Sequence, residues 1–137
     1  MSEITYRTDL GDVDWARMKS LLTEDNFDNG RTPEQLRESF GNSRVAVVAY
    51  DGGEIVGTAR ALSDGVCNAY VVDVWTRAPY RKRGIARAML ATLEAHLKGQ
   101  HVYLFTDDAA DFYHKLGFKE QPTGMSKVVG MWLRNDT

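Results

Sequence analysis

The chain has 137 residues, 43% of them hydrophobic and 26% charged, with three Trp, six Tyr, five Phe and a formal net charge of −2. That composition excludes the low-hydrophobicity, high-charge signature of disorder, leaves too little length for two full domains, and does not suit a generic nucleic-acid binder. No apolar run approaches the roughly 18–20 residues of a membrane-spanning helix, and the lone Cys67 excludes an intrachain disulfide or a cysteine-cluster metal site. The start, Met1-Ser2-Glu3-Ile4-Thr5-Tyr6-Arg7, lacks a basic stretch followed by an apolar one. No signal peptide is therefore expected, and the expected compartment is cytoplasmic.

Residues 4–8 read as a first strand. Residues 14–24 follow as a helix, with Trp15, Met18, Leu21 and Leu22 at helical spacing. Thr32-Pro33-Glu34-Gln35 supplies a second helix start: a hydroxyl N-cap, proline at the first helical position, and Gln35 at the capping-box position. That helix is predicted to end near Phe40. Residues 44–50 and 55–62 read as two strands around the hairpin signal Asp51-Gly52-Gly53. Residues 68–76 form a long β run rich in valine and aromatics, interrupted by Asp73. Residues 85–98 carry the clearest helix, with Ile85, Met89, Leu93 and Leu97 on one stripe and Gly99 closing it. A strand over 101–106, a short helix over 109–116 and a last strand over 128–133 complete the chain.

The stretch from Asn68 to Thr106 has the length of a βαβ unit containing one parallel pair. A mixed α/β fold, antiparallel first and parallel later, is expected as a single domain over residues 1–137.

Charge is concentrated in one place. Arg77, Arg81, Lys82, Arg83 and Arg87 put five cations and no acid into eleven residues, and the remaining twelve bases and nineteen acids sum to −7. A local cationic site on an acidic domain suits a small anion better than a long polyanion. Arg81-Lys82-Arg83-Gly84-Ile85-Ala86 follows a strand and opens the best helix. Free amides at a helix start, a glycine and a small residue for close approach, and flanking cations together make a pyrophosphate site. The competing reading is a basic loop on a solvated helix start. Other phosphate motifs, Gly-x-x-x-x-Gly-Lys-Ser/Thr and Gly-x-Gly-x-x-Gly, are absent.

The run Trp75-Thr76-Arg77-Ala78-Pro79-Tyr80-Arg81-Lys82-Arg83-Gly84-Ile85-Ala86 resembles the acyl-CoA-binding motif Arg/Gln-x-x-Gly-x-Gly/Ala of the GNAT acetyltransferase superfamily. Further on, the segment from Leu104 to Phe118, with Phe112-Tyr113-His114-Lys115-Leu116-Gly117-Phe118, is similar to that family's strand, short helix and Phe-Tyr-x-x-Leu-Gly-Phe ending. The region from Arg60 to Phe118 also resembles the branch containing the plant serotonin N-acetyltransferases. The resemblance implies a central mixed sheet of about six to seven strands flanked by about four helices.

It further implies acetyl-CoA as co-substrate and no metal, with the diphosphate held by Arg81, Lys82, Arg83, Gly84, Ile85 and Ala86. The pantetheine arm would lie along Val74, Trp75 and Thr76, and a bulge in that strand would aim an amide at the thioester oxygen. Tyr113 matches the tyrosine near the CoA sulfur, with a buried sheet-side tyrosine as the alternative. Asp73 is either paired to a structural cation or faces a cleft, where it could act as the catalytic base. Strict alternation would put Val71, Asp73 and Trp75 on one face. Asp108 reads as the N-cap of the short helix and Asp107 as the runner-up base. The three histidines read as structural and Cys67 as a buried or partly buried thiol.

The implied function is acetyl transfer to a primary amine of a small molecule through direct attack in a ternary complex, and the acidic balance of residues 1–60 favours a cationic acceptor. The alternative is a catalytically silent acyl-CoA sensor. No nucleic-acid or membrane partner is expected, and Trp132 with the C-terminal strand is a candidate homodimer edge.

Overall fold

Local rules set the element ends. In the computed structural model, which describes residues 3–134, Asp14 caps α1 (Trp15–Glu24) by accepting the Arg17 amide at 3.0 Å. The capping box at α2 (Pro33–Gly41) is complete: Gln35 N–H donates to Thr32 Oγ1 at 3.1 Å and Thr32 N–H to Gln35 Oε1 at 2.9 Å. Five strands, β1 (Ile4–Arg7), β2 (Val45–Asp51), β3 (Glu54–Ser63), β4 (Asn68–Thr76) and β5 (His101–Tyr103), form one sheet in chain order. The first three pairings are antiparallel; β4 and β5 are parallel, with α3 (Ile85–Glu94) in the connection between them. A mixed α/β sheet is the result.

The chain divides into two compact units, the first ending at Phe105 and the second beginning at Thr106. In the first, Met18, Leu21, Leu22, Leu36 and Phe40 of the N-terminal helices bury one sheet face with Ala46, Val48, Ile55 and Trp75. The opposite face takes α3, whose Ile85, Met89, Leu90 and Leu93 are buried at helical spacing. A Cβ on Gly57 would lie 3.0 Å from Met89 Cε, so the missing side chain lets α3 come close to β3. The second unit holds α4 (Ala110–Lys115).

Three expectations change. The α3 helix ends at Glu94 rather than near Lys98, because the chain tightens into i→i+3 bonds, His96 N–H to Leu93 O at 2.9 Å and Leu97 N–H to Glu94 O at 3.0 Å. Leu97 is still buried. The strand expected over 101–106 pairs through only three residues. Residues 128–133 form no strand, so the described sheet has five strands rather than six or seven. Gly130 at φ 70° and Leu133 at φ 63° are left-handed, and such residues interrupt an extended run whatever the β propensity of its valines.

Phe40 tests the helical face. It is 1% exposed and packs on Trp15 at a centroid distance of 5.6 Å. Phe40→Ala should lower the unfolding free energy by about 3–5 kcal/mol in urea titrations.

Candidate active site

The centre of the site is an irregularity in β4. Arg60 pairs with Val72 but Thr58 pairs with Trp75, so Asp73 and Val74 together oppose the single residue Ala59. This is a β-bulge, and Asp73 adopts φ 58° within it. The extra residue turns the strand over. Val71 sits across from Ala61 and Val45, whereas Trp75 sits across from Thr58 and Val48 and joins the helical core. Strict alternation is thus broken: Val71 faces away from Trp75.

Asp73 lies with two guanidinium groups. Arg31 Nη1 and Nη2 donate to its Oδ2 and Oδ1 at 3.0 and 2.9 Å, and Arg60 Nε donates to Oδ2 at 2.6 Å. Thr58 Oγ1 donates to the Asp73 carbonyl at 2.9 Å. Asp73 is 8% exposed and Arg31 6%. Burial raises the carboxyl pKa, but the hydrogen bonds and charges of Arg31 and Arg60 outweigh it, and the net shift is downward. Both oxygens are engaged and the carboxylate is a weakened proton acceptor. Of the two expectations for Asp73, the geometry is that of pairing to structural cations, not that of a cleft-facing base.

Nothing in the sequence spacing selects these partners, which lie 42 and 13 residues away. The available signal was that a carboxylate inside an apolar strand needs a cation. Asp73→Ala leaves two buried cations facing each other and should cost about 3–5 kcal/mol at neutral pH. Because the folded carboxyl pKa is depressed, its contribution is present above the unfolded carboxylate range and is lost as pH falls through the folded value. The gap between wild type and Asp73→Ala in urea midpoints should therefore narrow in acid.

Beyond the bulge, β4 has an open edge. β5 pairs with Asn68, Ala69 and Tyr70, and among the described residues no strand pairs with residues 71–76 on that side. Unpaired main-chain groups of this kind are a template for a further extended chain. Val74 and Thr76 provide that edge through their backbones, whereas the Trp75 main chain pairs with Thr58 of β3. The Trp75 side chain serves packing instead: it is 3% exposed and its Nε1 donates to Asp25 Oδ2 at 2.8 Å.

The edge runs into the basic turn. After a 3-10 turn at Ala78–Tyr80, Lys82 takes φ 63° and Gly84 φ 81°, and no side chain caps the start of α3. Left-handed residues alternating with ordinary ones curl successive amides into a concave, anion-binding surface, and the α3 dipole adds to it. Arg81, Lys82, Arg83 and Gly84 are exposed, Ile85 is buried and Ala86 half-buried. Arg81 Nε donates to Thr76 O at 3.1 Å and its Nη2 lies 3.5 Å from Asp25 Oδ2. The Arg83 guanidinium sits 5.0 Å from the centroid of Tyr80, whose hydroxyl donates to Asp51 Oδ2 at 2.6 Å. This concave, uncapped and cationic turn fits a diphosphate.

In the second unit, Tyr113 is the buried residue of α4, with ring contacts to Phe112 at 5.0 Å and Phe118 at 5.7 Å. Phe112 and Leu116, four residues apart on or just after α4, are only half-buried. Burial pushes the Tyr113 phenol above its ordinary pKa, so it stays protonated at neutral pH. Asp108 is not the cap of α4: the helix begins after Ala109, whose amide donates to Thr106 Oγ1 at 3.0 Å. Cys67 is exposed rather than buried. It lies in a turn whose amides at Val66, Cys67 and Asn68 all donate to Asp64 Oδ1.

A strand edge opening onto an uncapped, cationic helix start has the geometry of a site for an extended ligand that ends in phosphates. The profile of the Acetyltransferase (GNAT) family matches residues 15–118, and the chain belongs to that family. It is 33% identical over 100 residues to the chloroplastic serotonin N-acetyltransferase 2 of Oryza sativa subsp. japonica, covering 67% of this chain and 50% of the relative. It is 33% identical over 140 residues to the histone acetyltransferase TAP1 of Glycine max, covering 91% and 59%. The chain thus spans half to three-fifths of the length of these two relatives. The structure of a GNAT-family acetyltransferase from Streptococcus pneumoniae TIGR4 shares the fold at TM-score 0.75 and 24% identity, over 96% of this chain and 100% of that one.

Proposed function

We propose that the protein is an acetyl-CoA-dependent N-acetyltransferase that acetylates the primary amine of a small molecule in a ternary complex. The observation that carries this reading is the continuity of the open β4 edge with the concave turn at Lys82 and Gly84. Arg81, Lys82 and Arg83 supply charge to the diphosphate, and the main chain of Gly84, Ile85 and Ala86 supplies donors. Val74 and Thr76 hold the pantetheine arm as an added strand. The names of the matched relatives, which include acetyl transfer to serotonin and to histone, support the class of reaction.

Acetyl-CoA contributes an activated thioester. The amine nitrogen bonds to the acetyl carbon as the carbon–sulfur bond breaks, and the Val74 amide donates to the carbonyl oxygen while it gathers negative charge. The amine's proton leaves to solvent, since both oxygens of Asp73 are held by arginines. Tyr113 donates its phenolic proton to the departing thiolate and is reprotonated from solvent. The acidic excess of residues 1–60, eleven acids against seven bases, favours a cationic acceptor.

Thiol release from acetyl-CoA in the presence of a panel of amines tests the reading. Turnover with at least one amine is expected, and Tyr113→Phe should lower kcat about 10²-fold while leaving the calorimetric CoA affinity unchanged. CoA binding with no turnover on any amine would instead mark a binding module.

A further inference from the structure

We infer that Thr58, with the Arg31–Asp73–Arg60 cluster behind it, is a positioning residue that sets the direction of the Val74 amide; the inference rests on the acetyl-CoA reading above. A peptide unit is planar and trans, so its carbonyl and amide point in opposite directions. The unit joining Asp73 to Val74 has its oxygen held at 2.9 Å by the Thr58 hydroxyl, and Thr58 lies on β3 with no exposure. The Val74 N–H is therefore directed away from the Thr58 hydroxyl, and among the described residues no strand pairs with β4 beyond Tyr70 on the side away from β3.

The bulge residue is gripped at both of its polar ends. Its φ of 58° is a left-handed conformation that is unfavourable for a non-glycine residue. Arg31 and Arg60 offset that cost by fixing the side chain, and both are themselves anchored. Arg31 Nε donates to Asp28 O at 3.3 Å, and Arg60 Nη1 lies 3.3 Å from Ser39 O and from Ser43 Oγ. Carboxylate and carbonyl are thus held from the loop before α2, from the end of α2 with the residues just after it, and from β3. A donor fixed in advance need not reorganise when charge develops on its acceptor. Valine would fill the place of Thr58 equally well, so packing alone does not call for the hydroxyl.

Thr58→Val removes the hydroxyl and keeps the shape; Thr58→Ser returns the hydroxyl. In the full chain, Thr58→Val should lower kcat roughly 10-fold or more, with the acetyl-CoA KM and CoA affinity within about twofold of wild type, and Thr58→Ser should recover most of the loss. Nuclear magnetic resonance of the labelled protein supplies a readout independent of any amine. The Val74 amide should shift between the CoA and acetyl-CoA complexes of wild type and Thr58→Ser, and this acetyl-dependent shift should vanish in Thr58→Val. Arg31→Lys, which keeps the charge and loses the planar fork, reads the same two quantities at the other grip and should weaken both. An unchanged kcat and Val74 shift in Thr58→Val overturns the inference alone. So does a loss of CoA affinity equal to the loss of kcat, which marks Thr58 as merely structural. Wild-type protein that binds neither CoA nor acetyl-CoA overturns the acetyl-CoA reading and the inference with it.

Discussion

Two arginines closing on one buried carboxylate hold β4 of this protein in its irregular shape. An unpaired charge at Asp73 would be expensive in so apolar a place, and a neutral acid would leave two guanidiniums without a counter-charge. The solution ties together segments far apart in sequence: Arg31 ahead of α2, Arg60 on β3, and the bulge on β4. Because the bulge turns the strand over, Trp75 enters the core under the N-terminal helices while Val71 serves the other face. A strand of uniform pleat could not fill both cores from that sequence. The ionic triad therefore fixes packing as well as charge.

The same strand links fold to chemistry. Where β5 stops pairing, β4 keeps an edge that no strand covers among the described residues, and its end delivers the chain into a turn whose left-handed residues suit the backbone to an anion. Eleven residues concentrate five cations there, against a remainder of net −7. A compact multiply charged anion sees only the local field, whereas a long polyanion would also meet the acidic surroundings. Strand edge, helix start and local charge all favour one ligand shape, an extended arm ending in phosphates.

Much of this was legible in the sequence where the physics is local. The capping box at Thr32 and Gln35, the hairpin at Gly52-Gly53, the limits of β4 and the apolar stripe of α3 all follow from spacing and turn chemistry. The basic turn was legible for the same reason: helix start, glycine and cations are neighbours in the chain. What stayed hidden depends on distant partners. Asp73 announced a need for a cation, but its partners come from positions 31 and 60, and the bulge leaves no mark in the alternation of residues 70–76. Tyr113 rather than Phe112 is buried because tertiary surroundings, not helical spacing, decide the inward face of a six-residue helix. Residues 128–133 read as a strand by propensity alone, and two left-handed residues there outweigh it.

A crystal structure of the complex with acetyl-CoA tests the account most directly. The diphosphate oxygens should accept hydrogen bonds from main-chain amides between residues 83 and 86, and the pantetheine amides should pair with the backbone of residues 74–76. A diphosphate seated elsewhere, with the turn before α3 bare of ligand, would contradict it.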